Sequence, residues 1–229
     1  RVLFRSWGYE TYGLFQSEQE IAGAANQDKV SGGIKLMPGD IRFVDRNNDG
    51  VIDWGDNTVD NPGDKKIIGN STPRYHYGIN LGTDWKGFDL GIFFQGVGKR
   101  DLYLPGTSFR SHYGSEWQVP SAYNNDYWTE ENTGAYFPRA RFNGGSAINQ
   151  AQTRYMVDAS YCRLKSVSIG YTLPKVLTQK ASIEKIRIYF TGENLFTISD
   201  TPDGLDPELD NPYTYPMQRS LSVGLSLTF

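Results

Sequence analysis

The chain ends with Ser-Leu-Ser-Val-Gly-Leu-Ser-Leu-Thr-Phe, residues 220–229, and this stretch decides the fold class. Every second residue from Leu221 to Phe229 is apolar, and the residues between them are Ser, Gly or Thr. Strict alternation predicts a β-strand with one apolar and one polar face. A soluble β-sandwich buries such an apolar face in its core, whereas a transmembrane barrel turns it toward lipid. An aromatic residue at the end of the last strand is typical of outer-membrane barrels.

The composition excludes several classes of protein. The chain has 229 residues, a net charge of -3 and an aromatic content of 14%. It has no apolar run near the ~20 residues that a membrane helix needs, and it has no basic run to bind nucleic acid. A single cysteine, Cys162, excludes an intramolecular disulfide. The chain begins at Arg1 without a signal peptide, so we expect an exported protein of this kind to be a piece of a longer chain.

Two alternating runs predict a β-hairpin. They cover Tyr75 to Trp85 and Phe88 to Gln95, around a Lys86-Gly87 turn. Each arm has about ten residues, close to the ~9–11 that span a bilayer when tilted. Trp85 and Phe88 flank the turn, where an interfacial aromatic belt would lie.

The connections between the predicted strands alternate in length. Further strands are predicted at Lys165 to Thr172, Ile186 to Phe196 and Ser220 to Phe229. Short turns alternate with long irregular loops at 98–154 and 200–216, as in barrels whose long loops all lie outside. The chain therefore divides into a loop region, 1–74, and about five barrel strands within 75–229. The smallest membrane barrels have about eight strands, so the others must come from elsewhere.

The predicted lipid face follows from the same alternation, and the small and polar residues opposite would face the lumen. The lipid face comprises Tyr77, Ile79, Leu81, Leu90, Ile92, Phe94, Val167, Ile169, Ile186, Ile188, Leu221, Val223, Leu225 and Leu227.

Residues 45–56 have the spacing of a calcium loop. The ligand positions are occupied by Asp45, Asn47, Asp49, the Val51 carbonyl, Asp53 and Asp56, with Gly50 at the sharp turn. Hard oxygen ligands suit Ca²⁺ and, less well, Mg²⁺. The last ligand is Asp rather than the usual bidentate Glu, and no helices flank the loop. A structural metal site that pins an extracellular loop and a solvated turn rich in Asp and Asn both remain open.

Catalytic motifs are absent, and the chain is predicted not to be an enzyme. It contains no nucleophile elbow, dinucleotide fingerprint or phosphate loop, and its two histidines stand apart. An aromatic cluster within 98–154 is a weaker candidate for contact with substrate or with a partner lipoprotein, since rings among Asn and Gly stack on sugars or cover proteins. The alternative is that these rings pack the loop against itself. The cluster comprises Tyr113, Trp117, Tyr123, Tyr127, Trp128 and Tyr136.

A series of short motifs resembles a known family along nearly the whole chain. They include Gly8-Tyr9 with Gly13-Leu14-Phe15-Gln16-Ser17, Pro38-Gly39-Asp40-Ile41, Lys86-Gly87-Phe88-Asp89-Leu90, Arg163-Leu164-Lys165, Gly192-Glu193-Asn194-Leu195-Phe196 and Gly204-Leu205-Asp206-Pro207-Glu208. In this order they resemble the C-terminal part of SusC/RagA-like TonB-dependent outer-membrane transporters of the Bacteroidetes type.

The resemblance implies properties that the composition does not. A complete family member would be a 22-stranded barrel that contains an N-terminal plug. It would import glycans or peptides with energy delivered through TonB and with a SusD-like surface lipoprotein as a lid. Residues 221–229, with the apolar positions Leu221, Val223, Leu225, Leu227 and Phe229, would carry the membrane insertion signal, and the C-terminus would be periplasmic. The plug and the TonB contact would lie outside this chain. The substrate, the identity of the metal and the oligomeric state are not determined.

A second hypothesis belongs to another class of protein. The same alternation fits a secreted, calcium-stabilised β-sandwich that binds carbohydrate without crossing a membrane. Alternating loop lengths and the terminal Phe229 speak against it.

Overall fold

The computed structural model describes residues 5–103, 126–141, 145–178, 182–202, 205–209 and 214–229. The chain divides into two compact units. Unit 1 comprises Arg1–Ser71 and Asp101–Val157, and unit 2 comprises Thr72–Arg100 and Asp158–Phe229. None of the described helices has the length and apolar character to cross a membrane.

The described elements are mostly short strands and single helical turns. In chain order they are β1 (Arg5–Tyr9), β2 (Thr11–Leu14), α1 (Glu18–Ala22), α2 (Asp28–Ser31), β3 (Ile41–Phe43), β4 (Lys65–Asn70), β5 (Tyr75–Trp85), β6 (Phe88–Gly98), β7 (Asp101–Tyr103), two 3₁₀ turns (Ala147–Asn149 and Thr153–Tyr155), β8 (Met156–Asp158), β9 (Tyr161–Thr172), α3 (Lys175–Thr178), β10 (Lys185–Glu193), β11 (Thr197–Ser199) and β12 (Ser220–Thr228).

Unit 2 is built on one antiparallel sheet. Its strand order is β12-β10-β9-β6-β5, with β11 paired to the start of β9. Sequence neighbours among the long strands are therefore neighbours in the sheet, as expected when they are joined by hairpins. The all-β prediction and the five long strands are confirmed. Two strands have bounds different from those predicted. β9 begins earlier, at Tyr161, and β10 ends earlier, at Glu193, before the separate strand β11.

The strand register places the apolar residues on one face of the sheet. Ile92 is opposite Val167, and Phe190 lies between Ile169 and Val223 on its two neighbouring strands. Because partners in an antiparallel pair point to the same side, the apolar rows merge into one surface. This surface is exposed: Val223 is 78% accessible and Leu225 is 59% accessible. No second described sheet of unit 2 covers it, which is the arrangement of a strand that faces lipid rather than that of a sandwich strand.

Glycines on neighbouring strands make room for large side chains. A Cβ atom on Gly224 would overlap the ring of Tyr189, its cross-strand partner, and one on Gly96 would overlap the ring of Tyr77. On the polar face, Arg187 of β10 donates to Asp89 of β6 with N–O distances of 2.5 and 2.9 Å. β9 lies between these two strands, and its Gly170 leaves the space through which the ion pair passes.

Unit 1 has its own core. β1 pairs with β4 and β2 pairs with β3, both antiparallel. The rings of Tyr9 and Phe43 pack 5.2 Å apart, and those of Phe137 and Tyr155 stack 5.9 Å apart. α1 is a short helix whose Ser17 N-cap hydroxyl accepts a hydrogen bond from the Glu20 N–H. Part of the predicted outer loop 98–154 therefore packs with residues 5–71 as an ordered unit.

Leu225 provides a test of the exposed apolar face. We expect Leu225→Arg, in the full-length protein that carries this chain, to destabilise the folded state in a bilayer by about 2–4 kcal/mol. The reason is that the charge would lie in lipid near the middle of β12. Urea titration of folding into liposomes, read as the mobility shift between unheated and boiled samples, measures this loss.

The matched control is Ser222→Arg, which places the same side chain on the polar face of the same strand. It should fold with little loss. Equal losses for the two variants would contradict the assignment of the lipid face.

Candidate functional site

The acidic loop at 45–56 forms a tight turn within unit 1. Asn48 and Gly50 adopt the left-handed backbone conformation, with φ of 58° and 83°. The Asp45 carboxylate accepts hydrogen bonds from the backbone N–H groups of both residues, at 2.7 and 2.8 Å. The sharp turn expected at Gly50 is therefore present, because glycine adopts this conformation without steric cost.

The other predicted ligands are held by local hydrogen bonds. Asp49 accepts from the Val51 N–H at 2.8 Å and from the Asn47 amide at 2.8 Å, and Asp56 accepts from the Asn61 amide at 2.8 Å. The Asp53 carboxylate is 2.7 Å from the Lys29 ammonium. The hydrogen bond from Lys29 and that from the Gly55 N–H lower the pKa of Asp53.

The geometry of this loop favours the Asx-rich turn, while its ligand chemistry still suits Ca²⁺. Within the residues that the structure describes, no three carboxylate, histidine or cysteine groups converge as metal ligands do. The carboxylates are instead distributed along the loop: those of Asp45, Asp49 and Asp53 accept backbone N–H groups of their own turns, and that of Asp56 accepts from the Asn61 side chain. Oxygen ligands are nevertheless those that Ca²⁺ prefers, and the metal site stays a prediction.

The predicted aromatic cluster is only partly described. Tyr113, Trp117 and Tyr123 lie outside the described residues. Trp128 is buried, and its indole N–H donates to the Gln16 side chain at 3.2 Å. The Tyr136 ring packs edge-on against Phe137 and Tyr155. These contacts favour the packing interpretation for Trp128 and Tyr136, whereas Tyr127 is 38% exposed.

A buried cluster of charges joins the start of β9 to the 200–216 loop in unit 2. We call it the Arg163 cluster, and it comprises Arg163, Lys165, Asp206 and Glu208. Arg163 donates to Asp206 at 2.5 Å and to Glu208 at 2.8 Å, and the Lys165 ammonium lies 2.7 Å from Glu208. The Arg163 and Asp206 side chains are only 4% and 3% exposed.

Backbone groups complete the site around Asp206. Its carboxylate also accepts from the N–H groups of Glu208 and Met217, at 2.9 and 2.8 Å. Burial alone raises the pKa of Asp206, but the hydrogen bonds from Arg163 and from these N–H groups outweigh it and lower the pKa below its usual range. The carboxylate therefore remains charged at neutral pH and fastens both ends of the loop segment 206–217.

A β-bulge in β9 orients the Arg163 and Lys165 side chains of this cluster. Phe93 pairs with Ser166 and Phe94 pairs with Leu164, so Lys165 is the extra residue of β9. Bulges redirect side chains at the rims of barrels, and here Arg163 and Lys165 both reach Glu208.

Sequence reasoning missed the Arg163 cluster. The motifs Arg163-Leu164-Lys165 and Asp206-Pro207-Glu208 were visible, but their ionic contacts span 43 and 45 positions. A search for basic and acidic pairs of equal spacing would have suggested the contact. Only the fold establishes it.

Curated relatives match almost all of the chain. TonB-dependent receptor P3 of Formosa agariphila is 31% identical over 241 residues, which cover 97% of this chain and 22% of the relative. TonB-dependent receptor SusC of Bacteroides thetaiotaomicron is 29% identical and covers 82% of this chain and 17% of the relative. No family model matches the chain.

Solved structures show the same fold. The RagAB peptide importer in its closed-closed state matches with a TM-score of 0.65 and 21% identity, and the RagAB peptide transporter matches with a TM-score of 0.63 and 19% identity. Each alignment covers 98% of this chain and 23% of the matched chain.

The class of protein follows from the sheet and these matches together: the chain is a relative of TonB-dependent receptors. Within that class it is related to the SusC/RagA-like transporters, and the resemblance carried by the motifs is confirmed. The chain spans about a fifth of the length of the curated relatives that it matches. The relatives are named as receptors, which agrees with the prediction that the chain is not an enzyme.

The Arg163 cluster can be tested through the loop it holds. We expect Arg163→Met in the full-length protein to destabilise the packing of the 200–216 loop by about 3 kcal/mol, because it leaves Asp206 buried without its cation. Limited proteolysis, followed by mass spectrometry of cleavage between residues 200 and 216, measures the loss. The control Lys165→Met should cause a smaller change, since Arg163 still holds both carboxylates. Cleavage at wild-type rates in Arg163→Met would contradict the role of the cluster.

The calcium prediction has a direct test. If the 45–56 loop binds Ca²⁺, a tenfold excess of free Ca²⁺ over the Kd should raise the free energy of unfolding by about 1.4 kcal/mol, and chelation with EGTA should remove this gain. Differential scanning fluorimetry of the full-length protein measures the shift in Tm. The double variant Asp45→Asn, Asp49→Asn should show no shift, while Asp60→Asn, outside the loop, should behave as wild type. A Tm insensitive to Ca²⁺ in the wild type would leave the loop as an Asx-rich turn.

Proposed function

We propose that this chain forms the C-terminal barrel segment of a transporter for TonB-dependent import of glycans or peptides across the bacterial outer membrane. The observation that carries the proposal is the sheet of unit 2, whose exposed apolar face runs unbroken across five long strands. The similarity of the chain to TonB-dependent receptors supports TonB-dependent import as the type of transport.

The edges of the sheet support a place within a larger barrel. β5 and β12 are the outermost strands of the described sheet. Lipid offers no hydrogen bonds to unpaired backbone groups, so spanning sheets must close on themselves. We infer that neighbouring strands from the rest of a longer protein pair with both edges. A secreted β-sandwich is not proposed, because its apolar face would be buried.

The lengths of the connections support a proposed orientation of the sheet in the membrane. The two shorter connections, 86–87 and 173–184, join strands at one end of the sheet. The longer chain stretches, 99–160 and 200–219, begin at the opposite end. Outer-membrane barrels place short turns in the periplasm and long loops outside. The C-terminus after β12 would then be periplasmic, and the Arg163 cluster would lie at the outer end.

The partners of the transporter follow from its class. We infer a SusD-like surface lipoprotein over the outer loops and TonB as the source of energy, acting through parts outside this chain. The RagAB structures are those of a peptide importer, and SusC is a TonB-dependent receptor. Both glycans and peptides therefore remain in the proposal.

The proposal predicts TonB-dependent uptake. Cells that carry the full-length protein should accumulate a labelled oligosaccharide or peptide from a mixed pool, and deletion of TonB should abolish this accumulation because the energy source is lost. Accumulation of label in a wild-type strain, a TonB deletion and a deletion of the transporter gene measures this. Uptake that survives loss of TonB, or a protein that purifies without detergent as a soluble species, would overturn the proposal.

A further inference from the structure

A cleft in unit 1 contains an arginine, Arg42, that forms no ion pair within the described part of the chain. The cleft has a volume of about 280 Å³ and lies beside β2, β3 and α1. Its lining includes Tyr12, Gln16, Glu20, Arg42 and Arg154. None of its lining residues belongs to the acidic loop or to the Arg163 cluster.

The wall of the cleft is shaped by a β-bulge. Thr11 pairs with Phe43 and Gly13 pairs with Arg42, so Tyr12 is the extra residue of β2. Gly13 has a φ of 145° and open space where a Cβ would be. The bulge turns the Tyr12 ring over Arg42, with 4.5 Å between the guanidinium carbon and the ring centre.

Among the described residues, Arg42 has aromatic neighbours and forms no ion pair. Its guanidinium also lies 5.8 Å from the buried Phe15 ring. Within the described part of the chain, its N–H groups make no hydrogen bond or ion pair. Stacking on a ring leaves the edge of a guanidinium free, and that edge is the part that binds a carboxylate with two parallel hydrogen bonds.

The other charges of the cleft are already engaged. Glu20 accepts from the Gln16 N–H at 2.8 Å and closes the first turn of α1. Arg154 donates to the carbonyls of Ala135 and Tyr136, at 2.5 and 2.7 Å, and so holds the opposite wall. The cleft therefore carries two arginines against one carboxylate. Arg154 uses two of its donors to hold the wall, whereas Arg42 uses none in hydrogen bonds within the described residues.

We propose that this cleft is a binding subsite for a carboxylate group of the transported substrate, with Arg42 as its anion-binding residue and Tyr12 as its stacking surface. The inference rests on the proposed import function and narrows its substrate class to acidic molecules. The volume admits one sugar ring or one amino-acid side chain, so the carboxylate belongs either to a uronic acid or to an acidic peptide. The exposed Tyr12 ring, at 72% accessible, suits either source.

Binding to the full-length transporter tests the subsite. The probes are trigalacturonic acid, the peptide Ala-Glu-Ala with blocked ends, and neutral maltotriose, each titrated calorimetrically. We expect one of the two acidic probes to bind, and Arg42→Gln to weaken it by about tenfold or more through loss of charge-assisted hydrogen bonds. Arg42→Lys keeps the charge but loses the paired donors, so it should show an intermediate loss. The charge-matched control Lys35→Gln, at an exposed position of unit 1, should bind as wild type.

The acidic probe that binds identifies the source of the carboxylate. Equal affinity of wild type and Arg42→Gln, at equal Tm, would overturn the inference, as would a wild-type protein that binds maltotriose but neither acidic probe. In that last case TonB-dependent uptake of the neutral sugar would leave the proposed function intact. If no labelled compound of the mixed pool were taken up in a TonB-dependent way, the proposed function itself would be wrong.

Discussion

The hydrogen-bonding demand of the peptide backbone in a medium without water is the constraint on which the sheet of unit 2 depends. A strand that faces lipid must satisfy each N–H and C=O through its neighbours, because hydrocarbon offers no alternative partner. The antiparallel ladder from β5 to β12 meets this demand for its inner strands. It also fixes the register, and a slip of one residue would move every apolar side chain to the polar face.

Glycines in the sheet leave the space that large and charged side chains of adjacent strands occupy in this register. Gly224 and Gly96 accept the rings of Tyr189 and Tyr77 from adjacent strands, which covers backbone that would otherwise be bare. Gly170 lets Asp89 and Arg187 meet across an intervening strand. This ion pair lies on the polar face, as expected where a charge in lipid costs several kcal/mol.

Polar contacts hold individual loops of the two units in place. In unit 2, the Asp206 carboxylate accepts hydrogen bonds from Arg163 and from the N–H groups of Glu208 and Met217. These bonds fix the positions of residues 206–208 and Met217 relative to each other. In unit 1, Asp45 and Asp49 of the acidic loop each close a local turn. Arg42 of unit 1 lies beside two aromatic rings, and its N–H groups make no hydrogen bond within the described residues. Loops of this kind can change their surface without disturbing the strands that carry them.

The sequence by itself determined the long strands, their faces and the short turns of unit 2, because a period of two and the turn residues are local signals. It also determined the order of the motifs that relate the chain to its family. Tertiary structure alone decided the packing of parts of 98–154 with residues 5–71, the burial of Trp128, the Arg163 cluster and the cleft around Arg42. Each of these depends on contacts between residues far apart in the chain, or on a bulge such as those at Tyr12 and Lys165. A bulge shifts the phase of the apolar and polar alternation by one residue, and only the strand pairing distinguishes such a shift from the end of a strand.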